Sequence, residues 1–509
     1  MSQSTKNYLN YLLRPLVWGL LITALVALVI DFNQVSALVQ SYIQTIIYCF
    51  VAGIFAQQLY YFAQSLALTC APRAALEQMV SKPSVLNRLK PILNFSTIKP
   101  PSDLEAFQHS ATLRLVLFLF FVATEFSRPF FPIYVESFAP SVPYISTQAL
   151  TAIPQMLWAV MALFGTPLGF YIFRRYGEKS AYLTSVILAT VSLLVMASSS
   201  NYWLMLACRC THALGVGIIS YSALVSLSKK GSVSELGVFL GAVASGAICA
   251  TVLGGEVAHL SSYRGAIYLS SFIALCSWAT LYYHFTSSVT LGSSDASKRV
   301  NYALLLSRPA VHLYALLVST PSRFLLMGFI LYALPIKLHE MSYSSAGVGQ
   351  IMMVYFAINY LLVSGVGRFL DATRLFKSTT LVAVVSLALG LLLFFLSAGS
   401  IYLIIISMAC LSLGMTISNA IQVPLLTLLL PRETKEVGKE VLIAFFRTIE
   451  RVAAIAGPAL AALCLKYYPS YAVLIFALLM LSAALSTAVW FALAHLRAAQ
   501  SVQSKLQQI

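Results

Sequence analysis

Long apolar runs recur from one end of the chain to the other, and short polar stretches separate them. A helix needs about 20 apolar residues to cross a bilayer, and most of these runs reach that length. The pattern predicts an all-α polytopic membrane protein with about 14 transmembrane helices. The predicted segments are 15–30, 42–70, 111–136, 147–173, 180–198, 203–228, 237–258, 265–285, 310–335, 342–366, 378–397, 401–430, 440–465 and 470–494.

The basic residues of the polar stretches fall on alternate sides of these segments. If the N-terminus starts in the cytoplasm, the inside stretches hold 23 Lys and Arg residues and the outside loops hold three. Lys and Arg are enriched in the cytoplasmic loops of membrane proteins, so this asymmetry predicts an even helix count with cytoplasmic N- and C-termini. The short outer loops indicate a bacterial inner membrane.

A polar, serine-rich stretch at 286–309 divides the last twelve segments into two groups of six. The groups echo each other, because Ser127-Arg128 in the first helix of one matches Ser322-Arg323 in the first helix of the other. Such repeats are typical of transporters. The predicted organisation is an N-terminal two-helix hairpin at 1–70, a cytoplasmic linker at 71–110, a six-helix bundle at 111–285, a linker at 286–309, a second six-helix bundle at 310–495 and a cytoplasmic tail at 496–509.

The first helix of the first group carries charge and proline near its middle. Glu125 and Arg128 are followed at once by Pro129 and Pro132. Prolines remove backbone donors and bend a helix, which a membrane tolerates where neighbours or water satisfy the freed carbonyls. The segment 111–136 is therefore expected to line a polar cavity rather than to act as a simple anchor.

The composition excludes several other classes of protein. Hydrophobic residues make up 59% of the chain and charged residues 9%, whereas soluble domains average about 25% charged residues. The net charge of +16 is spread over many loops, which fits membrane topology and argues against a nucleic-acid partner. The eight cysteines lie within or beside apolar segments and predict neither a disulfide framework nor a metal site. We expect no enzymatic activity and no cofactor.

Two polar loops at equivalent positions of the two groups carry a common pattern. The loop over 169–183 resembles the signature G-x-L-x-D-R-x-G-R-K, with an arginine at the aspartate position and the glycine displaced by one. The loop over 367–371 keeps the glycine and the aspartate. The residues concerned are Arg174, Arg175, Gly177, Lys179, Gly367, Asp371 and Arg374.

Two of the predicted helices contain further stretches that are similar to motifs of the same family. Arg209 and His212 lie in a stretch similar to R-x-x-Q-G-x-G, and residues 250–255 are similar to the antiporter pattern G-P-x-L-G-G without its Gly-Pro. Together, over about 110–495, the chain resembles the major facilitator superfamily. This resemblance implies two six-helix bundles around a central cavity that opens alternately to each side of the membrane. It also implies that the two polar loops belong to the cytoplasmic gate.

Charged residues inside the apolar segments are the candidates for the chemistry, because a charge at bilayer depth costs about 2.5–3.5 kcal/mol. Five arginines lie there against two or three glutamates, and a bound anion would offset the excess positive charge. Arginine also binds carboxylate or phosphate with a bidentate fork. The predicted substrate-binding residues are Arg128, Arg323, Arg209, Arg447 and Arg451, and the predicted proton-coupling residues are Glu125, His212 and Glu450.

Each of these residues also has a structural interpretation. Glu125 and Arg128 are spaced i,i+3 and could form an ion pair that never meets substrate. Arg209 could hold helices together, His212 could be a packing histidine, and Arg447 could extend toward the membrane surface. The sequence leaves both interpretations open.

Taken together, these features predict a secondary active transporter of an anionic small organic solute, coupled to protons. No nucleotide-binding pattern G-x-x-x-x-G-K-[ST] occurs, so a proton or other ion gradient is the expected energy source. Two other functions remain open. One is a proton-coupled exporter of drugs or metabolites. The other is a membrane sensor that signals through the N-terminal helix pair, with a protein partner at 71–110.

Overall fold

The computed structural model describes residues 47–60, 62–63, 104–229, 233–285, 308–437 and 439–506. The predicted segment 15–30 and most of the two predicted linkers lie outside this range. The described part is helical apart from short loops and one isolated bridge, which confirms the predicted all-α class. Its helices are α1 Ile47–Tyr60, α2 Leu104–Glu125, α3 Phe131–Glu136, α4 Thr147–Tyr176, α5 Glu178–Ser198, α6 Tyr202–Lys229, α7 Val233–Leu260, α8 Tyr263–His284, α9 Pro309–Glu340, α10 Ser345–Thr373, α11 Phe376–Leu396, α12 Ile401–Leu429, α13 Pro431–Val437, α14 Lys439–Tyr467 and α15 Ala472–Leu506.

Eleven helices within the described ranges are long and apolar enough to cross a membrane. Most begin and end within a few residues of the predicted bounds, but α15 continues to Leu506 and so includes most of the predicted tail. The total of 14 spans stays a prediction, because the first segment lies outside the described residues. Of the predicted N-terminal pair, the structure describes α1, whose Ile47, Val51 and Ile54 are buried in the core of the first half.

Serine side chains fix where several helices begin. Ser146 accepts a hydrogen bond from the backbone N–H of Ala149 at the start of α4, and Ser344 accepts one from Gly347 at the start of α10. A serine hydroxyl that accepts from the first turn satisfies a backbone donor that has no partner within the helix. Gly177 separates α4 from α5 with φ of +87°, a conformation that favours glycine, so the signature loop is a sharp turn.

The predicted bend of the first helix is confirmed as a break between α2 and α3. Pro129 has no N–H to donate to the carbonyl of Glu125, and the backbone N–H of Arg128 donates there instead at 3.1 Å. The N–H of Phe131 then donates to the carbonyl of Ser127 at 2.8 Å and starts the short helix α3. The break exposes backbone groups at the depth where Glu125 and Arg128 lie.

The equivalent helix of the second half is irregular in a different way. Within α9, residues Ala315–Ser319 and Leu326–Ala333 form π-helical turns. Such turns are rare and occur frequently at functional sites. Pro335 cannot donate to the carbonyl of Leu331, and that oxygen accepts from Gln155 Nε2 of α4 at 3.4 Å.

Three large apolar clusters form the cores of two halves. One cluster joins α1 to α8, and the other two join helices from α9 to α15. The halves pack against each other through α7 with α10 and α4 with α14. This arrangement places the two irregular helices α2–α3 and α9 on opposite sides of the boundary between the halves.

The halves are in close contact at the end of the bundle where α4 and α10 begin, called here the closed end. A Cβ added to Gly255 would lie 2.4 Å from the Ser345 carbonyl, and one added to Gly349 would lie 2.2 Å from the Thr251 carbonyl. The Tyr332 hydroxyl also donates across the boundary to the backbone of α4, at 2.6 Å. Backbones therefore touch there, which requires glycine at both positions.

The opposite end carries the two polar loops that resemble the family signature. Arg174 and Arg175 are exposed there, and a Cβ added to Gly365 or Gly367 would meet nothing within 4 Å. Lys179 Nζ of the first loop donates to the carbonyl of Tyr282 at 3.0 Å, which is a contact within the first half. This end is called here the open end.

Candidate functional site

The first half places an ion pair at the break between α2 and α3. The Arg128 guanidinium contacts the carboxylate of Glu125, as the i,i+3 spacing predicts. Both side chains are largely buried, at 15% and 8% exposed. The guanidinium carbon of Arg128 also lies 5.1 Å from the ring centre of Phe356, a residue of α10 in the other half. The pair therefore lies at the boundary between the halves.

Arg209 of α6 lies close to this pair and is more deeply buried, at 5% exposed. Its guanidinium carbon is 4.2 Å from the ring centre of Phe131 and 6.0 Å from that of Trp158. Its Nη2 donates to Gln155 Oε1 at 3.3 Å. The Nε and Nη1 atoms of Arg209 have no hydrogen-bond partner among the described residues.

His212 lies one turn further along α6 and is 1% exposed. Its Nε2 is 3.3 Å from Thr124 Oγ1 of α2, and its Nδ1 has no hydrogen-bond partner among the described residues. The contact with Thr124 joins α6 to the residue directly before Glu125. The structure therefore groups all four predicted residues of the first half around the break in α2.

In the second half, Glu450 of α14 is the common acceptor of three donors. Arg447 Nη1 donates to it at 2.9 Å, Ser319 Oγ at 3.1 Å and Arg323 Nε at 3.2 Å. The partner of Arg323 thus comes from α14, whereas that of Arg128 comes from its own helix. Arg451 follows on α14, where it acts electrostatically on the same group of charges.

A small cavity lies beside Glu450, between α9, α12 and α14. Gln422 is 5% exposed on this cavity, and its side-chain amide has no hydrogen-bond partner within the described part of the chain. The Tyr314 hydroxyl donates to the Gln422 backbone carbonyl. The cavity lining is Tyr314, Ser319, Gln422, Leu426, Phe446, Arg447 and Glu450.

Tyr355 of α10 connects the two groups of charges. Its buried hydroxyl lies within electrostatic reach of both Arg128 and Arg323, and the charge of Arg209 in turn acts on Arg128. The five arginines and two glutamates therefore form one band across the boundary between the halves. The band carries three more positive than negative charges when all seven groups are ionised.

Several residues of this band could not be predicted from the sequence. Gln155 and Gln422 are uncharged residues within apolar segments, and the only available signal was their polarity at bilayer depth. Phe131, Trp158 and Tyr355 are aromatic residues that looked like ordinary packing residues. Their role depends on which helices meet, and the sequence pattern does not show this.

The predicted gate residues lie at the open end, away from the charged band. Arg175 Nη1 donates to the hydroxyl of Tyr171 at 2.8 Å, and Arg374 forms the left-handed C-cap of α10 with φ of +53°. The backbone of Asp371 belongs to the last turn of α10, and its side chain lies outside the described part of the structure. A gating role for these residues stays a prediction.

Comparison with known proteins is consistent with this architecture. The fold is similar to the crystal structure of the nucleoside transporter NupG, with a TM-score of 0.61 and 12% identity over 75% of this chain and 99% of that chain. It is also similar to the crystal structure of a D-xylose-proton symporter, with a TM-score of 0.58 and 13% identity over 75% of this chain and 97% of that chain. A search of curated protein sequences gave no match.

The family comparison identifies the class of protein. The sequence model of the Major Facilitator Superfamily matches residues 113–439, which begins within α2 and ends in α14. The match confirms the predicted family, and the region before residue 113 lies outside it. The many apolar helices and the two-half packing are those of an integral membrane transporter for small molecules. The chain therefore belongs to the Major Facilitator Superfamily.

Proposed function

We propose that this transporter is a secondary active carrier that moves a small organic anion by alternating access. The observation that carries the proposal is the excess positive charge of the band between the two halves. Charges at this depth are expensive unless they are compensated, and Glu125 and Glu450 compensate two of the five arginines. A bound anion would offset much of the remainder.

The five arginines are well placed to contact one solute from both halves. Arg128 and Arg209 belong to the first half, whereas Arg323, Arg447 and Arg451 belong to the second. Arginine is suited to this task because its planar guanidinium matches the geometry of carboxylate and phosphate. A solute between the halves would therefore be bound more tightly as the halves close around it.

The contacts at the two ends support alternating access. The backbones of α7 and α10 touch at the closed end, whereas Arg174 and Arg175 of the first signature loop are exposed at the open end. We infer that the open end and both termini face the cytoplasm, because the basic residues concentrate on that side. The short outer loops favour a bacterial inner membrane. The conformation is then the inward-open one, and transport requires the contacts at the closed end to separate.

Proton coupling is consistent with the ion pair between Glu125 and Arg128. The guanidinium of Arg128 contacts the carboxylate of Glu125 and compensates its charge. An anion that attracts Arg128 leaves that carboxylate buried without its partner, and a buried unpaired carboxylate takes up a proton. His212, next to Glu125 through Thr124, is a second candidate carrier. The similarity of the fold to a proton symporter supports this mode of coupling.

A thermal-shift screen of the purified full-length protein tests the proposal. The panel would contain carboxylates, organophosphates and amino acids, with cationic drugs and neutral sugars beside them. A ligand that binds the folded state raises the melting temperature by mass action. We expect one class of anion to stabilise the wild type and to lose this effect in Arg128→Ala.

The matched control is Arg264→Ala, which removes an exposed arginine that donates to Ser200 Oγ at 2.6 Å, outside the band. This variant should respond to anions as the wild type does. Stabilisation by cations alone would contradict the proposal and favour an exporter of cationic drugs. An anion effect that is equal in the wild type and in Arg128→Ala would remove Arg128 from the substrate site.

A further inference from the structure

Arg209 and Arg451 are the two arginines of the band without an ion-paired carboxylate among the described residues, but Arg451 lies within electrostatic reach of Glu450. Arg128 is paired with Glu125, and Arg323 shares Glu450 with Arg447. The side-chain partner of Arg209 is Gln155, which is neutral and does not compensate the charge. A buried guanidinium without a counter-ion is a strongly unfavourable arrangement, so this position calls for an anion.

Arg209 and its neighbour Trp158 both have hydrogen-bond donors without a partner among the described residues. The Nε and Nη1 atoms of Arg209 and the Nε1 atom of Trp158 are buried and have no partner among the described residues. An indole N–H can only donate, and so can a guanidinium, so the missing partner must be an acceptor. The two side chains come from α6 and α4, with the guanidinium carbon 6.0 Å from the indole ring. Two neighbouring helices thus supply donors that a bound oxyanion would satisfy.

The walls of this site are aromatic. Phe131 lies against the Arg209 guanidinium, Trp158 forms a second side, and Phe356 lies beside the neighbouring Arg128. A solute with many hydroxyl groups or several phosphates would leave polar groups unsatisfied against these rings. A solute with an apolar body would avoid this cost. Within the first half, Glu125 balances Arg128, so the one remaining positive charge, on Arg209, matches a single negative charge.

We propose that Arg209 and Trp158 bind the carboxylate of the solute, and that the solute is an organic monocarboxylate with an apolar body. This inference rests on the proposed function and names its substrate class. It also assigns the anion to the first half, whereas the sequence repeat pointed to the symmetric pair Arg128 and Arg323. Arg128 contacts its own carboxylate, Glu125, and Arg323 shares Glu450 with Arg447.

The test uses benzoate, its neutral analogue benzamide and inorganic phosphate as probes in thermal-shift titrations of the full-length protein. Benzoate should raise the melting temperature, and benzamide and phosphate should not. Trp158→Phe keeps an aromatic ring and removes the N–H, so it should weaken benzoate binding about tenfold, as the loss of a hydrogen bond to a charged group does. Arg209→Gln should abolish the benzoate effect.

The chain offers a matched control for the tryptophan variant. Trp278 of α8 also has a buried Nε1 without a partner among the described residues, and its ring is stacked on Tyr282 with centres 5.3 Å apart. Trp278→Phe is the same chemical change at a position outside the band. It should leave benzoate binding unchanged, even if both variants alter stability to a similar extent.

Three outcomes would overturn the inference. Benzoate binding that is unchanged in Trp158→Phe and Arg209→Gln would place the anion elsewhere, and the proposed function would stand if Arg128→Ala still abolished it. Equal losses in Trp158→Phe and Trp278→Phe would show a general packing effect. If no anion stabilises the wild type, the proposed function fails and the inference fails with it. Should Arg209→Gln not fold, Trp158→Phe and Arg209→Lys decide, because the first keeps an aromatic ring and the second keeps the positive charge.

Discussion

Glu125 and Arg128 lie one helical turn apart at the break in α2, and Arg209 acts on Arg128 from α6. An anion bound at Arg209 would place its negative charge close to Arg128. The contact between Arg128 and Glu125 would then weaken, because one cation is shared by two anions. At the scale of single residues, this competition is the physical basis for linking solute binding to proton uptake.

Glu125→Gln is therefore expected to separate binding from coupling. The amide cannot take up a proton at neutral pH, so anion binding should persist while the proton uptake that accompanies it disappears. The measurement is the pH change of a weakly buffered protein solution on addition of 4-hydroxybenzoate, followed with a pH dye. Glu136→Gln is the control, because Glu136 is an exposed residue at the end of α3. Unchanged proton uptake in Glu125→Gln would contradict this assignment.

The sequence was sufficient to find the charged residues but not their partners. The pairing of Glu125 with Arg128 follows from i,i+3 spacing on one helix, and it was predicted. Arg323 is paired with Glu450, which lies 127 positions away in the chain. Spacing carries no information about such a contact. The roles of Trp158 and Gln155 could not be predicted for the same reason, because these residues belong to the site only through the packing of α4 on α6.

At the scale of helices, prolines and glycines decide the shape of the site. Pro129 splits the first helix of the first half, and Pro335 frees a carbonyl of α9 for Gln155. The sequence predicted the break at Pro129, because a proline has no backbone N–H to donate. The π-helical turns of α9 were not predicted, since they depend on how α9 packs against α14 and α12. Helix bounds followed the hydrophobic pattern to within a few residues in most cases.

Gly349→Ala should open the closed end of the transporter. A Cβ there would lie 2.2 Å from the backbone oxygen of Thr251, and a backbone atom cannot rotate away. Gly365→Ala on the same helix is the matched control, because nothing lies within 4 Å of its added Cβ. In an Ala152→Cys background, labelling by a membrane-impermeant maleimide reports the opening, since Ala152 is 1% exposed among residues of the second half.

We expect Gly349→Ala to speed labelling at position 152, and we expect Gly365→Ala to leave the rate unchanged. The native cysteines are accounted for by subtracting the rate of each glycine variant without the added cysteine. Equal labelling in both variants would show that the contact between α7 and α10 does not hold the closed end together.

At the scale of the whole molecule, two halves enclose a band of charge that neither half would tolerate alone. Each half supplies arginines and one glutamate, and Tyr355 lies between the two groups. The six-plus-six organisation was predicted from the alternation of basic loops and from the polar stretch at 286–309. Which end is closed was not predictable, because it depends on contacts between glycines about 94 positions apart on α7 and α10.

The most direct test of the central claim is uptake of radiolabelled solutes by proteoliposomes that contain the full-length protein. The solutes would be 4-hydroxybenzoate and succinate as anions, with D-xylose and uridine as neutral solutes and protein-free liposomes as the background. We predict saturable uptake of an anion, driven by an imposed proton gradient and lost in Arg209→Gln. Saturable uptake of a neutral solute, with no protein-dependent uptake of either anion, would contradict the account.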